Sequence, residues 1–489
     1  MKNKNKALIQ ILKEHEEIIK SKPGFPNIGK RNDSLSFSDG VIDIEKAWYY
    51  YDTELYNMES PKCKIIKLGS GNPYNYKPFP YAVKNLKKKL KSSKLYMYPP
   101  AAGNEESRTN ISNYLISIGF NQKINFNNVI ITNSTTDAFY LILKSICRPH
   151  DVVIMTSPCY GLFAFMPERM GIDVKFIELK KDDNYYINPV CLKNLIDNIN
   201  KDLFNKYSKK EYIPCVKAFL NINPHNPLGY VLSDENIDIL NGVGSVCKDT
   251  GVFIIDDLVY RDIGYNRKKL AKPIGTIDEY FNNTISMFGL SKSYGMAGVR
   301  AGFVVANEMI IRLLRNNIFY TRDSSSEIQS YLLEGAYNNS FVRNVYYKKY
   351  FNALISKYIF NMYLTIAMFD GIERVNNLKY RKLVKLYILL KLKNKCYLEG
   401  INGVNVIIIP KSGFFVLLDF TKLKKIGIIK NERHLLKILY QNCGIKFLIG
   451  QSISWPNKND VVVRLTYSFD KKILVDAYKR IYGEIRRLL

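Results

Sequence analysis

The chain has 489 residues, of which 47% are hydrophobic and 24% are charged, close to the averages of soluble globular proteins. This composition excludes a disordered chain, a collagen and a simple coiled coil, and the length predicts two or three domains. No stretch approaches the ~20 uninterrupted apolar residues that a membrane-spanning helix requires. We therefore expect a globular protein that does not span a membrane.

Lysine and arginine number 72 against 44 aspartates and glutamates, which gives a formal net charge of +28. Such an excess points to an acidic partner, either nucleic acid or an anionic membrane surface. The basic residues are scattered, however, and the densest run, at 84–94, is typical of one solvated helix face. The plentiful Lys, Asn, Ile, Tyr and Phe also share A/T-rich codons. We therefore favour nucleotide composition as the origin of the charge and expect no nucleic-acid or membrane partner.

The cysteines and histidines do not indicate a metal site. None of the eight cysteines is paired at a metal-binding spacing, and the four histidines are equally isolated. A chain of this length does not need disulfides to stabilise its core. Residues 1–20 are charged throughout and contain no apolar segment, so no secretory signal is expected. These observations predict a cytoplasmic protein without a metal.

The predicted elements alternate along most of the chain. A helix is expected at 5–20, a short strand breaking into a Gly/Pro loop at 64–73, and a helix at 80–95. The following segments are predicted as helices at 108–120, 134–147 and 233–250, and as strands at 128–133, 151–158, 171–179, 216–224, 251–257, 284–292 and 299–307. Residues 310–400 are rich in helical patterns, and four further strands are predicted at 403–410, 413–420, 445–450 and 460–467. Apolar strands separated by helices are typical of a mostly parallel sheet covered on both faces.

Polar residues gather where these strands end, which is the edge at which parallel sheets bind ligands. Ser134, Thr135 and Thr136 open a helix, where hydroxyl and free N–H groups suit an anion. The turn N-P-H-N-P-L-G at 223–229 is rigid and contains Asn226, whose amide can reach into a cleft. Each pattern has an ordinary structural alternative, namely a helix cap and a strand-to-helix turn.

Charged residues at three other strand ends complete the set of candidates. A carboxylate that ends a buried strand, as in I-I-D-D at 254–257, is costly unless it is paired, for example with a protonated ring nitrogen. Lys292 lies in G-L-S-K-S-Y-G after a strand, where desolvation lowers the pKa of an amine and makes it nucleophilic enough to form a Schiff base. Arg300 suits a phosphate, and Arg464 suits a carboxylate unless it forms only a structural ion pair.

Two of these motifs are the most specific: S-K-x-x-G-x-x-G-x-R at 291–300 and N-P-x-N-P-x-G at 223–229. They and the other candidate residues follow one another in a defined order along the chain. Together they resemble the class I/II aminotransferases, fold type I enzymes that use pyridoxal 5′-phosphate, over about 64–489. The resemblance implies an α/β fold whose large domain has a mostly parallel seven-stranded sheet flanked by helices, beside a smaller α+β domain. The implied division is an N-terminal arm at 1–63, part of the small domain at 64–95, the large cofactor domain at 96–340, a helical insertion at 341–379, and the small domain at 380–489.

The resemblance assigns the catalytic roles residue by residue. Lys292 matches the lysine that forms the Schiff base with the cofactor and moves the proton at the substrate Cα. Asp257 matches the residue that keeps the pyridine nitrogen protonated, and Tyr260 matches a partner of the cofactor O3′. Asp256 is one residue outside the D-x-x-Y spacing and is the less favoured candidate.

The resemblance also assigns the binding residues. Asn226 matches the second O3′ partner and lies on the substrate side, and Tyr160 matches the aromatic residue that stacks on the pyridine ring. Tyr98 matches the tyrosine that reaches the phosphate of the neighbouring subunit, which implies a homodimer with a shared active site. Arg464 matches the arginine that holds the substrate α-carboxylate, and Gly71 matches the loop that closes over substrate. The residues assigned to the phosphate site are Ser134, Thr135, Thr136, Ser291 and Arg300.

The implied reaction transfers an amino group from an amino acid to a 2-oxo acid through the Lys292 Schiff base and pyridoxamine phosphate, within amino acid biosynthesis. Other reactions of the same fold remain open: elimination, cyclisation, racemisation or oxidation of an amino acid. A non-catalytic cofactor-binding module is a further alternative. Gly289 stands where the family usually has a serine, Ser134 stands in place of the usual glycine, and the segment at 340–380 resembles an insertion, either a packed helix pair, a hairpin, a partner surface or a lid.

Overall fold

The computed structural model describes residues 61–489 with the exception of residue 75, and every structural statement below concerns that part of the chain. The helix predicted at 5–20 and most of the predicted arm at 1–63 lie outside the described residues. No helix in the described part is long and apolar enough to cross a membrane.

A seven-stranded sheet forms the centre of the large domain, with the strand order β2-β8-β7-β6-β5-β3-β4. Its strands are β2 (Val129–Thr132), β3 (Val152–Ser157), β4 (Asp173–Glu178), β5 (Val216–Ile222), β6 (Phe253–Asp257), β7 (Thr284–Gly289) and β8 (Gly302–Val305). All neighbouring pairs are parallel except those of β8, which runs antiparallel to both β2 and β7. The predicted mostly parallel sheet is therefore confirmed, and the carboxyl ends of β2, β3, β5, β6 and β7 share one edge.

Helices cover both faces of this sheet because its strands are apolar on both sides. Along β5, Ala218 and Leu220 face one cluster of buried side chains, and Phe219 between them faces another. The helices on the first face are α3 (Thr135–Ile146), α4 (Gly161–Glu168) and α7 (Glu308–Arg322). Those on the second face are α2 (Glu105–Ser117), α5 (Pro189–Tyr207), α6 (Ile237–Asp249) and α8 (Glu327–Tyr337), with α1 (Pro80–Lys89) packed on α8.

The small domain combines residues from both ends of the described chain. The short strand β1 (Ile66–Lys67) pairs in parallel with β11 (Ile445–Lys446). A four-stranded antiparallel sheet has the order β12-β13-β10-β9, with β9 (Asn405–Val406), β10 (Phe415–Asp419), β12 (Leu448–Ile449) and β13 (Val462–Thr466). Its helices are α10 (Leu378–Tyr387), α11 (Thr421–Lys425), α12 (Glu432–Cys443) and α13 (Lys471–Leu488).

The segment at 340–380 differs from the sequence prediction. Instead of a helix pair or hairpin, it forms one continuous helix, α9 (Phe341–Asp370), which contacts α1 at one end and α13 and β9 towards the other. The prediction failed because a long helix that is buried on several sides has no regular apolar stripe. The strand predicted at 403–410 is also shorter, since only Asn405–Val406 pairs.

Candidate active site

A cavity of about 220 Å³ lies at the edge where the carboxyl ends of the parallel strands meet. Nine of the residues predicted from the sequence line it: Thr135, Thr136, Tyr160, Asn226, Asp257, Tyr260, Ser291, Lys292 and Arg300. The sequence analysis did not single out the four remaining lining residues, Leu162, Phe163, Ile222 and Val259, which are apolar and give no chemical signal. The fold therefore brings together residues that are up to 165 positions apart, from Thr135 to Arg300.

The two adjacent aspartates at the end of β6 point in opposite directions because side chains alternate along a strand. Asp257 lines the cavity, and its Oδ1 accepts a hydrogen bond from the amide of Val259 at 3.1 Å. Asp256 is completely buried elsewhere, where it accepts hydrogen bonds from Asn221 Nδ2 at 2.8 Å and from the amide of Ile274 at 2.9 Å. Burial raises the pKa of each carboxyl to about 7. Only Asp257 is thus placed to meet a bound ligand.

The amine of Lys292 projects into the same cavity from the loop after β7. Its Nζ donates a hydrogen bond to the carbonyl oxygen of Gly71 at 2.8 Å. A Cβ atom on Gly71 would lie 3.3 Å from that Nζ, so glycine allows this close approach. The pKa of Lys292 is lowered to about 8: burial is the largest cause, the guanidinium groups of Arg464 and Arg300 act in the same direction, and the carboxylate of Asp257 acts in the opposite direction.

The start of α3 has groups that suit an anion. Thr135 and Thr136 form its first turn, where backbone N–H groups have no partner within the helix. Ser134 precedes them with φ of 95° and ψ of 171°, a conformation that L-residues rarely adopt. Its hydroxyl accepts a hydrogen bond of 2.6 Å from Arg300 Nη2. At Gly289 an added Cβ would lie 3.3 Å from the methyl group of Thr135, so this position is closely packed although it carries no side chain.

Arg464 lies on β13, and only 1% of its surface is exposed. Its Nη1 donates to Asn226 Oδ1 at 3.1 Å, and its Nη2 donates to the carbonyl oxygen of Gly69 at 2.9 Å. Its guanidinium carbon lies 4.0 Å from the centroid of the Phe415 ring, which fixes its plane. Both of these acceptors are neutral oxygen atoms.

Contacts between the domains hold the segment that carries Tyr160, and the sequence analysis missed them. The amide of Cys159 donates to the carbonyl oxygen of Ile453 at 2.9 Å. Gly161 follows Tyr160, and an added Cβ there would lie only 2.2 Å from the carbonyl oxygen of Ser452. The sequence did contain a signal for this close backbone approach, because Gly161 stands directly after the predicted ring-stacking residue Tyr160.

Four predicted site residues are not among those that line the cavity. Ser134, Gly71 and Arg464 each contact a lining residue, whereas Tyr98 lies at the surface. It follows a short 3₁₀ turn at Ser93–Tyr96, and 89% of its surface is exposed. Tyr96 and Met97 beside it are also largely exposed.

The cavity fits pyridoxal 5′-phosphate by the chemistry of its side chains. A buried carboxylate, Asp257, complements a basic ring nitrogen, and an amine of lowered pKa, Lys292, complements an aldehyde. The start of α3 with Arg300 complements a phosphate, and Tyr160 and Tyr260 supply aromatic and hydroxyl groups. Among the described residues, no group of three or more His, Cys, Asp or Glu side chains is arranged to hold a metal ion.

Comparison with known proteins agrees with this site. Residues 63–360, more than half of the chain, match the family model described as aminotransferase class I and II. The chain is a class I and II aminotransferase family member. This family depends on pyridoxal 5′-phosphate, and the match includes the first 20 residues of α9, Phe341–Phe360.

Individual members of the aminotransferase family are distant relatives of this chain. The aspartate aminotransferase of Sulfolobus acidocaldarius is 27% identical over 281 residues, which cover 57% of this chain and 64% of that protein. The aspartate aminotransferase of Bacillus subtilis is 24% identical over 243 residues, 49% of this chain and 56% of that protein. The match thus spans less than two thirds of either relative. The probable aspartate/prephenate aminotransferase of Aquifex aeolicus is 23% identical over 78% of this chain and 82% of its own length.

Solved structures extend the fold similarity over nearly the whole chain. A double mutant of the Thermus thermophilus aspartate aminotransferase superposes with a TM-score of 0.67 over 96% of this chain and 100% of its own, at 17% identity. Alanine aminotransferase from Pyrococcus furiosus gives a TM-score of 0.67 at 16% identity, over 92% of this chain and 96% of its own. The aminotransferase fold type I architecture predicted from the sequence is therefore confirmed.

Proposed function

We propose that this protein transfers the amino group of an amino acid to a 2-oxo acid with pyridoxal 5′-phosphate bound to Lys292. The observation that carries this proposal is the position of Lys292, whose amine of lowered pKa shares one cavity with Asp257 and the anion site of α3. The family match supports the same cofactor chemistry. When bound, the cofactor withdraws the electrons left on the substrate Cα as its C–H bond breaks and carries the amino group between the two substrates.

In this proposal, each side chain around the cavity has its own role in the reaction. Lys292 takes the proton from the substrate Cα and returns a proton in the second half of the reaction, because its amine can be neutral near pH 8. Asp257 in its ionised form would hold a proton on the ring nitrogen. Tyr260 would donate a hydrogen bond to the ring oxygen, and burial raises the pKa of its hydroxyl so that it stays protonated. Tyr160 lines the same cavity and would pack against the ring.

The proposed substrate site joins the small domain to the cavity. Arg464 would receive the α-carboxylate of the substrate through the two parallel N–H groups of its guanidinium. Asn226 Oδ1 and the carbonyl oxygen of Gly69, both neutral acceptors, hold that guanidinium in place. Gly71, whose carbonyl oxygen contacts Lys292 Nζ, would lie beside the bound amino acid.

The proposal includes a homodimer in which Tyr98 of each chain reaches the phosphate held by its partner. Its support is the exposure of Tyr98 together with Tyr96 and Met97, since large apolar groups side by side on a surface are typical of an interface. The mass of the protein in solution tests the dimer. Mixing inactive Lys292→Ala chains with inactive Tyr98→Phe chains tests the shared site, because a mixed dimer would regain one intact site.

The experiment that tests the function follows the visible absorption of the loaded protein while single amino acids are added, with aspartate first. Formation of the matching 2-oxo acid, and return of the original spectrum when 2-oxoglutarate is added, is the expected result. Lys292→Ala should lose this exchange by at least a thousandfold, and Lys181→Ala, an exposed lysine outside the cavity, should retain it. Release of ammonia, a cyclic product or the opposite enantiomer instead would identify another reaction of the same fold. No spectral response in the loaded protein would favour a non-catalytic module.

A further inference from the structure

A second cavity, outside the proposed active site, lies between the end of α2, the segment that follows β6 and the start of α9. Its volume is about 750 Å³. Phe341 and Val345 are apolar residues at its exposed rim, and both belong to the first turns of α9. The cationic residues that line it are Arg261, Arg267, Arg343 and Lys348. No aspartate or glutamate lines it.

One carboxylate, Asp262, lies behind the cavity wall, and its oxygens are already engaged. Oδ1 accepts hydrogen bonds from Arg261 Nη1 at 3.2 Å and from the hydroxyl of Tyr347 at 2.8 Å. Oδ2 accepts a hydrogen bond from the hydroxyl of Tyr294 at 2.8 Å. Asp262 therefore forms its ion pair with Arg261, and its carboxylate reaches Arg343 and Arg267 only through the hydroxyls of Tyr294 and Tyr347.

Arg343 and Arg267 form no ion pair within the described part of the chain. Arg343 is only 2% exposed, and it donates to neutral acceptors: the carbonyl oxygen of Ala336 at 2.8 Å and the hydroxyl of Tyr294 at 3.0 Å. Arg267 donates to the carbonyl oxygen of Asp262 at 2.5 Å and to the hydroxyl of Tyr347. Buried cations are normally paired with an anion because desolvation of an unpaired charge is costly.

The aromatic ring of Tyr347 contacts both of these cations. The guanidinium carbons of Arg343 and Arg267 lie 4.2 Å and 5.0 Å from its centroid. Contact with the ring face offsets only part of the cost of burying a charge. An anion in the adjoining cavity would supply the missing compensation, and planar guanidinium groups are well suited to phosphate oxygens.

We propose that this cavity binds a small phosphorylated molecule that carries at least two negative charges. Arg267, Arg343 and Lys348 would contact the phosphoryl groups, and Phe341 and Val345 would contact the organic part. The site is distinct from the phosphate position at the start of α3, whose lining residues it does not share. A small molecule fits better than a polymer because Arg343 lies below the surface.

The test uses the full-length protein loaded with pyridoxal 5′-phosphate, so that the phosphate position of the active site is already filled. Pyrophosphate is titrated into it by calorimetry at low ionic strength. We expect one binding event per chain. Arg267→Gln should weaken its affinity at least tenfold, and Lys348→Gln at least threefold. The matched controls Lys268→Gln and Lys349→Gln remove neighbouring exposed cations that do not line the cavity, and they should stay within twofold of the unmodified protein.

Four results would overturn the proposal. The first is no binding of pyrophosphate up to millimolar concentration. The second is an equal loss in all four variants, which would mean diffuse attraction by the net charge of +28. Citrate that binds as tightly and with the same variant pattern would replace the phosphoryl class by carboxylates. A single-stranded oligonucleotide that binds more tightly than pyrophosphate, and loses affinity in the same two variants, would assign the surface to nucleic acid.

Discussion

The pKa of Lys292 can be shifted in either direction by changing one neighbouring charge. Asp257 stabilises the protonated amine, so Asp257→Asn should lower the pKa below its value of about 8. Arg464 destabilises the protonated amine, so Arg464→Gln should raise that pKa. Both variants replace a charge by a neutral amide, which matches aspartate in size at position 257 and is smaller than arginine at position 464, and burial, the largest cause of the lowered pKa, remains in each.

The expected effect on reactivity follows from the fraction of neutral amine. At pH 7 an amine of pKa about 8 is neutral in about one molecule in ten, against about one in three thousand for an ordinary lysine of pKa 10.5. The site therefore increases the reactive fraction about 300-fold at this pH. The rate constant for uptake of pyridoxal 5′-phosphate by the cofactor-free protein should fall about tenfold for each pH unit below 8.

The assay follows this uptake by absorbance between pH 6 and 10, with Lys292→Ala as the background for other amines. The midpoint should lie near 8, move down in Asp257→Asn and move up in Arg464→Gln. A midpoint near 10.5 in the unmodified protein, or a shift of both variants in the same direction, would refute the electrostatic account.

The same pKa has a consequence for folding stability in the cofactor-free protein. Between about pH 8 and 10.5 the unfolded chain binds a proton at Lys292 that the folded chain has already released. Stability should therefore rise with pH across this window, by at most about 3 kcal/mol for this partly buried group. Below pH 8 the contribution of Lys292 to stability should not change with pH. Lys292→Met should remove this rise in chemical denaturation experiments.

Three further predictions follow from the site. Asp257→Ala should reduce kcat at least a hundredfold and Asp256→Ala less than tenfold, because Asp257 alone lines the cavity; the reverse order would show that the catalytic carboxylate was assigned to the wrong residue. Arg464→Ala should raise KM for the amino acid by about 10- to 100-fold, since a hydrogen bond to a charged group contributes about 1.5–3 kcal/mol; an unchanged KM would place the carboxylate elsewhere. Ser134→Gly should stabilise the cofactor-free protein by about 1 kcal/mol through relief of its positive φ, yet weaken cofactor binding because Arg300 loses its hydroxyl acceptor. Denaturation midpoints and cofactor titrations check the two effects separately, and a fall in stability would contradict the strain argument.

The central sheet was predictable from the sequence because its strands are short apolar runs buried on both faces. The predicted strand at 216–224 became β5 (Val216–Ile222), and the one at 251–257 became β6 (Phe253–Asp257). The order of the strands came only from the structure, since periodicity contains no information about which strands are neighbours. The long helix α9 was misjudged as a helix pair, because most of its second half is buried and no polar face marks its direction.

The sequence by itself determined the identity of the chemical groups at the site. Lys292, Arg464 and the aspartate pair 256–257 stood out because each charge ends an apolar segment, where burial is costly unless the charge is paired. Arg300 stood out through its spacing from Lys292, and the family resemblance favoured Asp257 over Asp256. The motif spacing around Lys292 was specific enough to indicate the family. Only the tertiary structure decided how these charges act on one another. The lowered pKa of Lys292, the orientation of Asp257 and the grouping of cations around Arg343 all depend on burial and on distances between residues remote in sequence, which no local pattern encodes.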